Sequence, residues 1–85
     1  DYTQAESLLK RALSIRETTL GYEHLDVAAA LCMLGDVYLH NNQLTSAEQS
    51  FQRAVRIYEH KFGANSECVG PLLDKIAQGY LDQYK

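Results

Sequence analysis

Three histidines, two cysteines and eleven carboxylates are the side chains here with ligating, nucleophilic or acid–base potential. A metal site needs several such donors at short spacings, His-x3-His on one helix face being the usual helical form. His24, His40 and His60 fall on separate segments with no partner at that spacing, so they read as loop or cap residues and no metal ligand is expected. Cys32 and Cys68 lie far apart in sequence and form no CxxC pair. That suits buried thiols in a reducing compartment, and the cytoplasm is the expected location. A reactive thiolate needs a nearby cation or base, and none adjoins Cys32 in sequence, which leaves it a small apolar role. No nucleophile elbow, phosphate-cradling glycine loop or paired metal ligands occur, so the chain is expected to be no enzyme and to use no cofactor.

The 85 residues allow one small domain, 46% apolar and 22% charged, the composition of a folded globular chain. No apolar run approaches the length of roughly 20 residues that spans a bilayer, so no membrane partner is expected. A formal charge of −3, with lysines and arginines scattered, offers no field for phosphate backbones, and nucleic acid is not expected as a partner.

The chain repeats itself. A 42-residue shift matches Thr3/Thr45, Ala5/Ala47, Glu6/Glu48, Arg11/Arg53, Ala12/Ala54 and Ile15/Ile57, and again Glu17/Glu59, Gly21/Gly63, Val27/Val69, Leu31/Leu73, Tyr38/Tyr80 and Leu39/Leu81. Apolar residues between these landmarks recur every three or four positions, the period of an amphipathic helix. Helices are predicted over Tyr2–Leu20, Leu25–His40, Thr45–Phe62 and Glu67–Gln83. Gly21 and Gly63 stand where a left-handed residue ends a helix, and Asn41-Asn42-Gln43 reads as a short turn. Gly70-Pro71 weakens the start of the fourth helix and predicts that it begins late.

Leu31-x2-Leu34-Gly35-x2-Tyr38 followed by Ala47-x3-Phe51-x2-Ala54 resembles the tetratricopeptide repeat. Small Gly35 and Ala47 would let two helices cross closely, with Tyr38 and Phe51 filling the space between neighbouring hairpins. Ala5-x3-Leu9-x2-Ala12 is a second helix without its first, and Leu73-x2-Ile76-Ala77-x2-Tyr80 a first helix without its second. The resemblance implies an all-α solenoid of antiparallel, right-handed helix hairpins in the order B-A-B-A. Residues 1–22 would end one repeat, 23–64 form a complete one, and 65–85 open the next. The 42-residue period and Gly21-x2-His24-x-Asp26-Val27-Ala28 are similar to kinesin light chain repeats, although Leu25 replaces their loop proline and Glu59 the capping proline.

In tetratricopeptide arrays the first helix of each pair lines a concave groove that holds a peptide. By position the resemblance puts Ala29, Cys32, Asp36, Leu39 and His40 of the second helix there, with Pro71, Asp74, Gln78, Leu81 and Asp82 of the fourth. Those two segments carry Asp26, Asp36, Glu67, Asp74 and Asp82 against Lys75 alone, an acidic side opposite a mildly basic one. Chaperone-binding relatives grip a terminal carboxylate with Lys and Asn, and kinesin light chains use paired asparagines. Cys32-Met33 and Asp74-Lys75 stand here instead, so a basic and apolar peptide is the expected ligand, Leu39 and Leu81 giving contact area and the aspartates steering.

The expected function is thus a protein–protein interaction scaffold. The alternative is a structural spacer or self-association element. A hairpin cannot bury its apolar face alone, and the last helix should present Leu72, Leu73, Ile76 and Tyr80 uncovered. Either the chain is a segment of a longer solenoid, or copies complete one another end to end.

Overall fold

A computed structural model describes residues 2–63, 67 and 69–83, the side chain of Gln83 excepted. Four helices follow one another: α1 (Tyr2–Leu20), α2 (Leu25–His40), α3 (Leu44–Phe62) and α4 (Val69–Gln83). No strand occurs among the described residues.

Local chemistry sets the helix ends. The N–H of Gly21 donates to the Glu17 carbonyl at 3.1 Å and that of Gly63 to Glu59 at 2.8 Å. Their φ angles, +98° and +96°, lie in a region costly for any side chain with a Cβ. His24 caps α2, its Nδ1 accepting from the Asp26 N–H at 3.0 Å, a task more often given to Ser, Thr, Asn or Asp. After α2, Asn42 adopts φ +61° while Gln43 N–H donates to the Tyr38 carbonyl and Asn42 N–H to that of Leu39. These are the paired bonds of a Schellman turn, with Asn standing where Gly is commoner. α3 therefore begins at Leu44, one residue before its predicted start. α4 begins at Val69 and not at Glu67, with Pro71 in its first turn, where its missing donor costs no helical bond.

Each helix packs on the next, α1 on α2, α2 on α3 and α3 on α4. The result is a slab 39 × 33 × 15 Å. Ion pairs link alternate helices: Glu17 to Arg53 joins α1 to α3, and Asp36 to Lys75 joins α2 to α4. The second helices thus form one layer and the first helices the other, the B-A-B-A arrangement the motif predicts.

The core lies in the α2–α3 hairpin. Val27, Ala28, Leu31, Ala47, Phe51, Ala54, Val55 and Ile57 are buried there, joined by Val69 and Leu72 of α4. Leu34 and Gly35 are buried as well. A methyl group added at Gly35 would come within 2.5 Å of the Phe51 ring, and Phe51 has no exposed surface. Gly35 is small because the ring lies on its backbone, within a hairpin as well as toward the next one, where Lys75 Nζ sits 5.7 Å from the ring centroid. Tyr38 packs half-buried against this core with Lys10 of α1 over its ring.

Three expectations about the last helix change. Leu72 is buried and Ile76 packs on the core, because both turn toward α3. Ala77, a packing residue by its place in the repeat, is exposed, while Leu73 and Tyr80 are exposed as expected of that face. The Tyr80 hydroxyl bonds the Glu48 carboxylate.

Candidate functional site: a groove between the first helices

Placement of α2 and α4 side by side in one layer leaves a channel between them, closed at one end by the turn into α3. Lys75 crosses it, its ammonium 3.1 and 3.2 Å from the two Asp36 carboxylate oxygens. Beside this bridge lies an open hollow of about 540 Å³. Leu39 and Leu44 supply its apolar lining, and Asn42, Lys75, Gln78 and Asp82 its polar edge. Gly79 lets α4 lie close against these leucines: a Cβ there would meet Leu44 Cδ1 at 2.8 Å and Leu39 Cδ2 at 2.9 Å. Gln78 Nε2 donates to Asp82 Oδ1 at 3.0 Å, so the i, i+4 pair presents one preset polar edge.

Of the ten groove positions, the structure brings Leu39, Gln78 and Asp82 to this hollow. Asp36 is at the same channel but is held by Lys75, and so is no open charge. His40 turns toward α1, where its ring stacks on Tyr2 at 4.6 Å and 6°. Ala29 and Cys32 are half-buried along α2, with Cys32 packed against the core. Pro71, Asp74 and Leu81 are exposed on α4, outside the hollow's lining. Cys68 lies outside the described residues.

Asn42, Leu44, Lys75 and Gly79 join the site although no groove motif marks them. Two signals in the sequence point there. An Asn at the end of a helix often takes the left-handed conformation and leaves its amide exposed. Gly79 is a glycine inside a helix, which weakens the helix and is kept there for a packing or functional reason.

A second open hollow of similar volume, about 540 Å³, lies on the other side of the α2–α3 turn, between Lys10, Tyr38 and Tyr80. The Lys10 ammonium is held above its ordinary pKa by its hydrogen bond to Glu6, helped by Tyr38. No group of three or more His, Cys, Asp or Glu side chains gathers among the described residues. No described helix is long and apolar enough to cross a membrane.

Helix pairs stacked in two layers, a glycine under an aromatic ring and a channel between alternate helices together define a helical-hairpin repeat module. The chain belongs to the tetratricopeptide repeat family, whose model matches residues 1–60. Over 52 residues it is 40% identical to Nephrocystin-3 of Xenopus laevis and, to the same extent, to Nephrocystin-3 of Xenopus tropicalis. Those matches cover 61% of this chain and 4% of each relative, so the chain spans a small part of the proteins it resembles. Repeats of this family serve protein–protein interaction.

Proposed function

We propose that the chain is a non-catalytic interaction module that holds a peptide or a segment of a partner protein in the channel between α2 and α4. The hollow over Leu39 and Leu44 carries this reading, being an apolar seat with polar groups on its edge, the usual plan of a side-chain pocket. An apolar residue of the ligand sits against the leucines. Asn42 and Gln78 offer donors and acceptors to its backbone, and a basic neighbour meets Asp82. Because Asp36 is engaged by Lys75, steering falls to Asp74 and Asp82. An adaptor role like that of kinesin light chains, a cytoplasmic location and a division into residues 1–22, 23–64 and 65–85 belong to the same reading. They are supported by the 42-residue period and the spacing of the cysteines.

Titration of the labelled chain by NMR with a Leu/Arg-rich peptide and a Leu/Glu-rich control tests it. Shifts should gather at Leu39, Asn42, Gln78 and Gly79 for the first peptide only. Gly79→Leu, which drives a side chain into Leu39 and Leu44 at the hollow's apolar lining, and Asp82→Lys should each weaken binding about tenfold, in the range of a hot-spot residue. Equal binding by Gly79→Leu, with helix content retained, rules out the channel. The alternative, a spacer or self-association element, draws its support from an uncovered apolar stripe on α1.

A further inference from the structure

The two walls of the channel keep step with one another. Counted toward the α2–α3 turn, Asp36 comes before Leu39 on α2, and Lys75 comes before Gln78, Gly79 and Asp82 on α4, each wall rising about 1.5 Å per residue. Two contacts fix one wall against the other. Lys75 meets Asp36 at the lower level, and Gly79 lies against Leu39 a turn above. The channel therefore reads upward as an anion, an apolar seat and a second anion: Asp36, the hollow over Leu39 and Leu44, and Asp82. Its lower anion is already matched by a cation from the facing wall.

That match is an exchangeable one. Both side chains are nearly half exposed, 43% for Lys75 and 46% for Asp36, and an exposed pair of this kind adds little to the stability of a fold. The ammonium meets both carboxylate oxygens, at 3.1 and 3.2 Å, leaving the two in the side-on setting that a guanidinium fills with two parallel bonds. Resting on the channel reading given under Proposed function, we propose that Lys75 is a built-in competitor: it holds Asp36 in the place that an arginine of the bound peptide takes, so binding exchanges one ion pair for another. Spacing identifies the peptide. In an extended segment, side chains two residues apart share a face at about 6.6–7 Å, a little over one helical turn, so a leucine in the hollow puts an arginine on either side within reach of Asp36 and of Asp82. The fitting segment is Arg-x-Leu-x-Arg, which matches in either chain direction. Both walls lie within the chain, so repeats before or after it leave the exchange in place.

Titration of a labelled Arg-x-Leu-x-Arg peptide, followed by fluorescence anisotropy, is the test. Lys75→Met keeps the stem and removes the charge, and should bind the peptide about five- to tenfold tighter than the parent chain. Lys75→Arg, which grips Asp36 with two parallel bonds, should bind it several-fold more weakly. A role confined to holding α2 against α4 would not move the two variants in opposite directions. With Asp36→Asn in place, the gain from Lys75→Met should shrink to about twofold, the part due to charge repulsion alone. Salt gives a second readout: a rise from about 50 mM to about 300 mM should weaken binding by Lys75→Met more than by the parent, in which one ion pair replaces another. Circular dichroism should show the same helix content in every variant. The exchange is overturned if the parent binds and Lys75→Met binds no tighter, or if the gain persists undiminished beside Asp36→Asn. A peptide bound by neither the parent nor Lys75→Met overturns the channel reading itself, and the exchange with it.

Discussion

α1 and α3 are two readings of one helical pattern, with Ala5/Ala47, Ala12/Ala54 and Ile15/Ile57 identical, yet α3 buries six residues and α1 buries none. The difference lies in the neighbours. α3 is clasped by α2 on one side and α4 on the other, while α1 touches α2 and reaches α3 through the Glu17–Arg53 pair. The same isoleucine is core at 57 and surface at 15. Burial in a stacked-hairpin fold is thus a property of position in the array, and a helix's own sequence sets only which stripe is available for it.

Substitutions at aligned positions should separate the two helices most clearly at the aromatic site. Phe51→Ala should cost about 3–5 kcal/mol, the range for losing a buried ring, whereas Leu9→Ala on half-buried α1 should cost about 1 kcal/mol, both read from urea denaturation. Equal losses would mean that α1 is as tightly packed as α3. Ile57→Ala should cost about 2–5 kcal/mol and Ile15→Ala at most about 0.5 kcal/mol, measured in the same way at concentrations where the chain is monomeric.

The first helices give a comparison of opposite sign. Gly35→Ala gains about 1 kcal/mol of helix propensity but forces a methyl against the fully buried Phe51 ring, an overpacking cost of about 1–3 kcal/mol, so the protein should be destabilised or at best unchanged. Ala77→Gly, at the exposed counterpart, should lose about 1 kcal/mol through propensity alone. A clear gain in melting temperature for Gly35→Ala would show that Phe51 can turn away.

Smallest of all is a difference in titration. Glu6 bonds Lys10, which lies over Tyr38, whereas Gln52 replaces the lysine in α3 and Glu48 bonds Tyr80 directly. The Lys10 pKa is raised above 10.5 in the folded chain, so its contribution is complete below pH 10.5 and is lost as the pH climbs through the raised value. With the side chain about half exposed, the loss is slight. Glu6→Gln removes its first cause, and stability measured between about pH 9 and about pH 11 should then fall less steeply than in the parent; an unaltered slope would assign the shift to Tyr38.

Helix periodicity, the capping glycines and the smallness required at Gly35 are legible from spacing, because each is local or repeats at one period, whereas the Phe51 ring that lies on Gly35 is expected between hairpins. The channel is less open to such reading. Its location follows from the layer order, but Asp36 and Lys75 are distant in sequence and meet only because α2 and α4 lie side by side. Counting charges along each helix cannot reveal that the two cancel. Position in the repeat assigns His40 inward, whereas a ring contact between helices draws it to Tyr2. Leu72 and Ile76 turn in because α3 offers a surface, a choice that a lone helix cannot encode.

The two glycine joints, at 21 and 63, share nearly the same backbone angle and the same hydrogen bond back into the helix before them. A duplicate unit of one period spliced between them would meet the same helix ending at both edges. Lengthening by gene duplication would therefore reuse one helix stop at every junction.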